Sequence, residues 1–262
     1  MTTILHRILE EKELEVQQLK TLDNGEQPAN KYTHYSFIEI LRAADQVAII
    51  AEFKRASPSK GDINLLLSPS DQGKDYVAAG ADAISVLTDA PFFKGAVADL
   101  EEVRKVVDVP ILCKDFIIDE VQIDRAKRVG ANIILLIVAA LSPNRLAELY
   151  QYALSQQLEI LIEVHSEEEA ILAIGLGAKL IGVNNRNLKT FEVDLKTTEA
   201  LAPLIKQAGA YLISESGIRS VDDVKRVVKA GANGILVGEA FMKHENVTQM
   251  MNEMKISLKA GK

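Results

Sequence analysis

The chain is poor in several residue types, and each scarcity excludes something. It has one cysteine, Cys113, and no tryptophan among 262 residues. A single cysteine rules out an intrachain disulfide and a thiolate zinc cluster. Cys113 lies inside an apolar run, so it reads as a buried structural thiol and not as a nucleophile. Histidines number only four. His6, His34 and His244 fall outside strand ends, His165 reads as a loop histidine, and no His, Asp or Glu group has metal-ligand spacing. No apolar stretch approaches the roughly 18 residues of a membrane span. The N-terminus lacks a signal-peptide apolar region, so a cytoplasmic protein is expected. Positive charge is not in excess: the net charge is -7, which argues against a nucleic-acid partner. A small anionic ligand stays open, because a local cationic pocket can coexist with an acidic surface.

What the chain does have is ordinary globular chemistry, with 48% hydrophobic and 26% charged residues. It also has a repeat. Gly80-Ala81, Gly130-Ala131, Gly177-Ala178, Gly209-Ala210 and Gly231-Ala232 each precede a β-type apolar run. A glycine there suits the residue just past a helix, where a left-handed backbone carries no Cβ clash. Helical spacing lies between the runs, over Asp99–Val107, Asp119–Val129, Arg145–Ala153 after Ser142-Pro143, and Val221–Ala230 after Ser220.

Strands are expected near 48–53, 83–87, 110–114, 132–137, 159–163, 179–184, 210–214 and 234–237. Eight strands alternating with helices predict an α/β fold, a (β/α)8 barrel. The rival is a doubly wound open sheet, which usually carries a glycine fingerprint after its first strand. Glu52-Phe53-Lys54-Arg55 supplies none. Residues 1–262 are read as one barrel domain, with residues 1–45 as an N-terminal helical extension. Within it Ile4, Leu5, Ile8, Leu9 and Val16 give one apolar helix face. Asp23–Asn30 reads as a loop and Tyr35–Ala44 as a second helix. The extension could close the barrel bottom or overhang its mouth, and periodicity does not choose.

Polar residues end many of the apolar runs, where α/β barrels place their active sites. Glu52 and Lys54 end the first run and share a face by the period of two. Ser57-Pro58-Ser59-Lys60-Gly61 follows as a loop rich in donors. Lys114 ends the third run. Burial is expected to lower its pKa and help it donate a proton, although a structural pair with Asp115 is the plainer reading. Glu163 ends the fifth run as a candidate general base, its pKa expected to be raised by burial. Asn184 could hydrogen-bond hydroxyls and Arg186 could meet an anion, though asparagines also build turns. Glu215-Ser216-Gly217 and Gly238-Glu239 follow the last two runs, the usual position of a barrel phosphate site.

These segments closely resemble the indole-3-glycerol phosphate synthase family. The resemblance rests on Ala51–Ser59, Lys114–Ile117, Leu161–Glu163, Gly182–Leu188 and Ser214–Ile218, in family order and across essentially the whole chain. It implies a barrel enzyme of tryptophan biosynthesis, a carboxy-lyase that needs neither metal nor cofactor. The substrate would be 1-(2-carboxyphenylamino)-1-deoxyribulose 5-phosphate. By that resemblance Lys114 is the general acid of ring closure. Glu163 acts in the later dehydration, and Lys54 pairs with a substrate anion and shares acid duty. Glu52, Asn184 and Glu215 orient sugar hydroxyls and the lysines. Ser57 and Ser216 add hydrogen bonds. Gly217 and Gly238 present backbone donors to phosphate, with Arg186 nearby. Phe93, Phe116 and Leu135 form an apolar wall. The partner expected is thus a phosphorylated small molecule, with a monomer as the simplest state.

Two departures stand out. Without tryptophan, no indole from the N-terminal segment can stack on the substrate. Glu239 stands where a serine would offer phosphate a hydroxyl, and it is expected to point outward. Three other readings remain. A class I aldolase-like barrel would form a Schiff base on Lys54 or Lys114. A phosphoribosylanthranilate isomerase-like barrel would want a cysteine–aspartate pair, but Cys113 is opposite in side-chain sense to Lys114. A non-catalytic phosphate-sugar-binding barrel would have no use for so many ionisable strand ends.

Overall fold

Eight parallel strands close on themselves: β1 Ala48–Phe53, β2 Ala83–Leu87, β3 Ile111–Lys114, β4 Ile133–Ile137, β5 Glu159–Val164, β6 Leu180–Asn184, β7 Tyr211–Glu215 and β8 Gly234–Val237. β8 pairs back onto β1, with Ala48 opposite Gly234 and Ala51 opposite Val237. The architecture is the expected (β/α)8 barrel, and the strand ends fall within a residue of the apolar runs. This computed structural model describes residues 3–22, 32–58 and 60–261. The loop expected over 23–30, and Ser59, lie outside the described residues.

The helices are α1 Ile4–Leu22, α2 Phe37–Ala43, α3 Pro69–Ala78, α4 Ala90–Phe93, α5 Val97–Arg104, α6 Glu120–Arg128, α7 Pro143–Ser155, α8 Glu167–Gly175, α9 Lys196–Gln207, α10 Val221–Ala230, α11 Glu239–Lys243 and α12 Val247–Met254. Several start on the caps the sequence offers. Ser142 Oγ accepts from Arg145 N and Ser220 Oγ from Asp223 N, each at 3.3 Å. The glycine of every Gly-Ala repeat has a positive φ, 125° at Gly231 where α10 ends. Helix α5 begins before Asp99, against the expectation of Asp99–Val107. The reason is local: the Asp99 carboxylate reaches back to accept Ala96 N at 2.9 Å and so starts the helix ahead of itself.

The period of two divides the strands between two cores. Ile50, Leu112, Ile133, Leu135, Leu161, Leu180, Ile213 and Leu236 point into the barrel. Ile49, Ile84, Cys113, Ile134, Ile162, Val183, Leu212 and Ile235 point out against the helices. Cys113 therefore faces away from the barrel interior, and burial pushes its thiol up to about 12.

The extension does both things that its periodicity left open. Helix α2 closes the bottom. Phe37 and Leu41 are buried with Ala48, Ile50 and Ile133 inside the barrel. The Glu159 carboxylate, at the start of β5, accepts Phe37 N at 2.9 Å and Ile38 N at 3.2 Å. Helix α1 instead overhangs the mouth, where Ile4, Leu5 and Ile8 border the cavity. Lys12, 1% exposed, fastens it there: Nζ lies 2.7 Å from Asp115 and 3.0 Å from Asp89. Those carboxylates follow β3 and β2, so the helix is tied to the loops that surround the site.

Candidate active site

A cavity of about 460 Å³ opens at the C-terminal ends of the strands, a volume typical of small-molecule sites. Its floor is ionic and one side is apolar. Each of the residues that the sequence analysis places at a site borders it: Lys54, Glu52, Lys114, Glu163, Asn184 and Glu215 at the base, and Ser57, Arg186, Ser216, Gly217 and Gly238 around the rim. Phe93, Phe116 and Leu135 complete the set on the apolar side.

Register explains the convergence. Glu163 is level with Gly182, and Asn184 with Glu215. Leu87 is level with Lys114, and Glu52 with Ser85. Inward positions on neighbouring strands thus stack at one height. Glycines make the room: a Cβ at Gly182 would overlap Glu215 Oε1, and one at Gly238 would lie 2.6 Å from Glu52 Oε1. Gly238 is therefore needed to accommodate a carboxylate, besides any part it plays toward an anion.

The charges pair in a chain. Lys54 Nζ contacts Glu52 Oε1, and Lys114 Nζ contacts Glu215 Oε2. Lys114 Nζ is also 3.7 Å from Glu163 Oε2. Asn184 Nδ2 donates to Glu163 Oε1 at 3.0 Å, and Asn184 Oδ1 accepts Arg186 N at 3.0 Å. The Lys114–Asp115 pair does not form, because Asp115 points the other way and accepts Thr88 Oγ1 at 2.5 Å.

Two titration expectations are overturned. Burial does push Lys114 down, as expected, but Glu215, Glu163 and Glu52 together outweigh it and leave the ammonium above its ordinary value. Burial likewise pushes Glu163 up, but His165, Lys114 and Asn184 outweigh it and hold the carboxyl well below the usual range. Burial also opposes ionisation of Glu52, yet Lys54 and Lys114 keep it lowered. Glu215 goes the other way: burial, reinforced by Glu163 and Glu52, raises it despite Lys114. Neighbouring carboxyls in one site are thus driven apart.

The rim beyond β7 and β8 is a tight turn. Ser216 has φ 63° and Gly217 φ 87°. A Cβ at Gly217 would meet Val193 Cγ1 at 2.5 Å, so both backbone and space require glycine. Asn185 holds this turn: Nδ2 donates to Glu215 O at 2.9 Å and to Ser216 O at 3.1 Å. Glu239 does not turn wholly outward as expected. It borders the cavity with its carboxylate 2.7 Å from Lys243 Nζ, which draws it along its own helix. On the apolar side the rings of Phe93 and Phe116 pack in a tilted pair, with centroids 5.9 Å apart and planes at 33°.

The sequence reading missed Lys12, Gly182, Asn185, Arg219 and His165. Arg219 borders the cavity beside the turn. His165 lies in the loop between β5 and α8, as expected, but it is held there: its side chain is 14% exposed and contacts Glu163 and Glu169. The signal for it is its place two residues past Glu163, just beyond the end of β5.

Among the described residues no group of three or more His, Cys, Asp or Glu is arranged to hold a metal ion. The cationic side chains paired at the base of the cavity are Lys54 and Lys114. A closed parallel barrel with paired lysines and carboxyls at its mouth, next to a glycine turn after the seventh strand, defines an acid–base enzyme on a (β/α)8 scaffold. Comparison with known proteins gives the family. Residues 5–254 match the family model for indole-3-glycerol phosphate synthase. The indole-3-glycerol phosphate synthase of Bacillus mycoides is 50% identical over 258 residues, covering 98% of this chain and 100% of that one. That of Oceanobacillus iheyensis is 49% identical and covers 98% of each. Among solved structures, a thiamine phosphate pyrophosphorylase from Pyrococcus furiosus superposes with a TM-score of 0.57 at 21% identity, covering 79% of this chain and 93% of that one. A mandelate oxidase variant with benzaldehyde gives 0.61 at 17%, covering 83% and 76%. These two share the fold alone. The chain belongs to the indole-3-glycerol phosphate synthase family, enzymes of the lyase class.

Proposed function

We propose that this cavity converts 1-(2-carboxyphenylamino)-1-deoxyribulose 5-phosphate into indole-3-glycerol phosphate, carbon dioxide and water, a step of tryptophan biosynthesis. The observation that carries the reading is the meeting of Lys114, Glu163 and Glu215 at one point between an apolar wall and a glycine turn.

The phosphate binds at the Ser216-Gly217 turn and Gly238, with Arg186 beside it. Anchoring there leaves the reacting carbons over the lysines, so binding far from the chemistry serves orientation. The anthranilate ring lies against Phe93, Phe116 and Leu135. Ser57 adds a hydrogen bond, while Glu52 and Asn184 orient hydroxyls. Glu215 Oε1 is buried with no hydrogen-bond partner among the described residues, which suits it to receive a sugar hydroxyl.

In ring closure, the aryl carbon bonded to the carboxylate attacks the sugar carbonyl carbon. The carbonyl oxygen gains negative charge and takes a proton from Lys114. An ammonium with a raised pKa stays charged until that oxygen becomes the stronger base. The carboxylate then leaves as carbon dioxide, and its bonding pair restores the ring's aromaticity. Loss of hydration beside an apolar wall favours a neutral product over an anion. Last, the new hydroxyl leaves as water with a proton from a lysine, Lys54 or Lys114. A carbon-bound proton passes to Glu163, which its neighbours keep ionised for that purpose.

The chain works as a single barrel domain, residues 1–262, and helix α1 of the 1–45 extension forms part of the site. A monomer is the simplest state for a site built within one barrel. Buried Cys113 and the absence, among the described residues, of a helix long and apolar enough to cross a membrane fit work in the cytoplasm. The test is indole fluorescence from purified protein and this substrate with a chelator present. Product formation supports the reading. Borohydride trapping of a lysine adduct would instead favour an aldolase-like mechanism.

A further inference from the structure

The end of strand β5 brings two ionisable groups together at the mouth, Glu163 in the strand and His165 in the bend just past it. Glu163 borders the cavity, while His165 stands behind it. The imidazole is held between two carboxylates. Nδ1 lies 3.2 Å from Glu169 Oε2 and Nε2 lies 3.3 Å from Glu163 Oε1. The second contact is an ion contact out of line for a hydrogen bond. Glu169 is itself fixed: its Oε2 accepts His165 N at 2.7 Å, and its own N donates to Ser166 Oγ at 3.3 Å in the first turn of α8.

A ring with a carboxylate at each nitrogen is best matched as imidazolium, which carries an N–H at both. Burial works against that charge, but Glu163 and Glu169 outweigh it and raise His165 to about 10. The other groups around Glu163 come from four further strands. Asn184 donates to Oε1 from β6, and Lys114 of β3 stands 3.7 Å from Oε2. Lys114 is closer to Glu215 of β7, and Glu52 of β1 also faces it. Lys114 is thus shared among carboxylates, whereas among the described residues the carboxylates at His165 are Glu163 and Glu169.

We propose that His165 is a positioning residue that holds Glu163 as a carboxylate aimed into the cavity, ready to accept the proton of the dehydration step, with Glu169 as its brace. The inference rests on Glu163 being the acid–base group. His165 itself touches no substrate.

The test compares kcat and kcat/KM against pH for the unmodified chain, His165→Gln and Glu169→Gln. Without the imidazolium, Glu163 is protonated at higher pH. The acid limb of His165→Gln should therefore move toward neutrality by about one pH unit or more, the usual effect of losing an opposite charge at this range. At neutral pH kcat should fall while KM changes by less than about twofold. Glu169→Gln should move the limb in the same direction by less. A second measurement needs no activity: the His165 ring, followed by NMR, should titrate well above the ordinary value of about 6.5 and drop in Glu163→Gln. Should His165→Gln fail to fold, Glu169→Gln and the NMR titration decide. Superimposable profiles for both variants, or a His165 ring titrating at its ordinary value, would overturn the proposal. If Glu163→Gln keeps full turnover, the acid–base reading itself fails. If Glu163→Gln is inactive while the His165→Gln profile is unmoved, only the role of His165 fails.

Discussion

Gly182 and Glu215 occupy one space from adjacent strands: the carboxylate that holds Lys114 lies where a side chain on residue 182 would begin. Only a residue without a side chain at 182 leaves room for that carboxylate. Gly182→Ala should displace Glu215 and loosen Lys114. Turnover should drop by about tenfold or more, since misplacing a catalytic group by about 1 Å costs about 100-fold. The melting temperature should change little, because the displaced atom is the end of a flexible side chain. Steady-state kinetics beside a thermal melt checks both parts.

Glu163→Gln keeps the shape of the side chain and removes its charge. It should lower kcat by about 100-fold or more, the scale of a lost general base, with KM nearly unchanged. A variant altered only in KM would make Glu163 a binding residue.

Lys12 is the buried link between α1 and the barrel. Lys12→Met leaves Asp89 buried without its cation, a loss of about 3–5 kcal/mol in a denaturant titration. KM should rise, since Ile4, Leu5 and Ile8 lose their place at the cavity. The pH dependence follows from sign. The net pull of Asp115, Asp89 and Glu15 raises the folded-state pKa of Lys12 against the opposing effect of burial. Its stabilisation is therefore complete below the ordinary lysine value of about 10.5 and fades as pH climbs through the folded value. The stability gap between the unmodified chain and Lys12→Met should hold at pH 7–9 and narrow only in stronger alkali.

Phe37 closes the barrel bottom, far from the ionic cluster. Phe37→Ala should remove about 3–5 kcal/mol of stability. The acid and base limbs of its pH–rate profile should match those of the unmodified chain.

The fold was legible because each barrel strand is short and apolar, and β2, β4, β6, β7 and β8 each follow a Gly-Ala turn, so pattern and tertiary structure agree. The position of the site followed, since Glu52, Lys114, Glu163 and Glu215 are the polar endings of apolar runs. The charge states were not legible. Burial alone argues for a lowered Lys114 and a raised Glu163, and both come out reversed once neighbours from other strands are counted. Sequence spacing cannot show that β3 and β7, a hundred residues apart along the chain, bring Lys114 against Glu215. The same holds for Lys12, whose partners lie on two loops of the barrel, and for α1 and α2, which share amphipathicity but cover opposite ends.

Lys114→Ala, assayed by indole fluorescence with the carboxyphenylamino deoxyribulose phosphate and a folded-state check by circular dichroism, tests the central assignment most directly. Turnover should fall by about 100-fold or more in a protein that keeps its native spectrum. A folded variant that retains most of its activity would contradict Lys114 as the acid of ring closure.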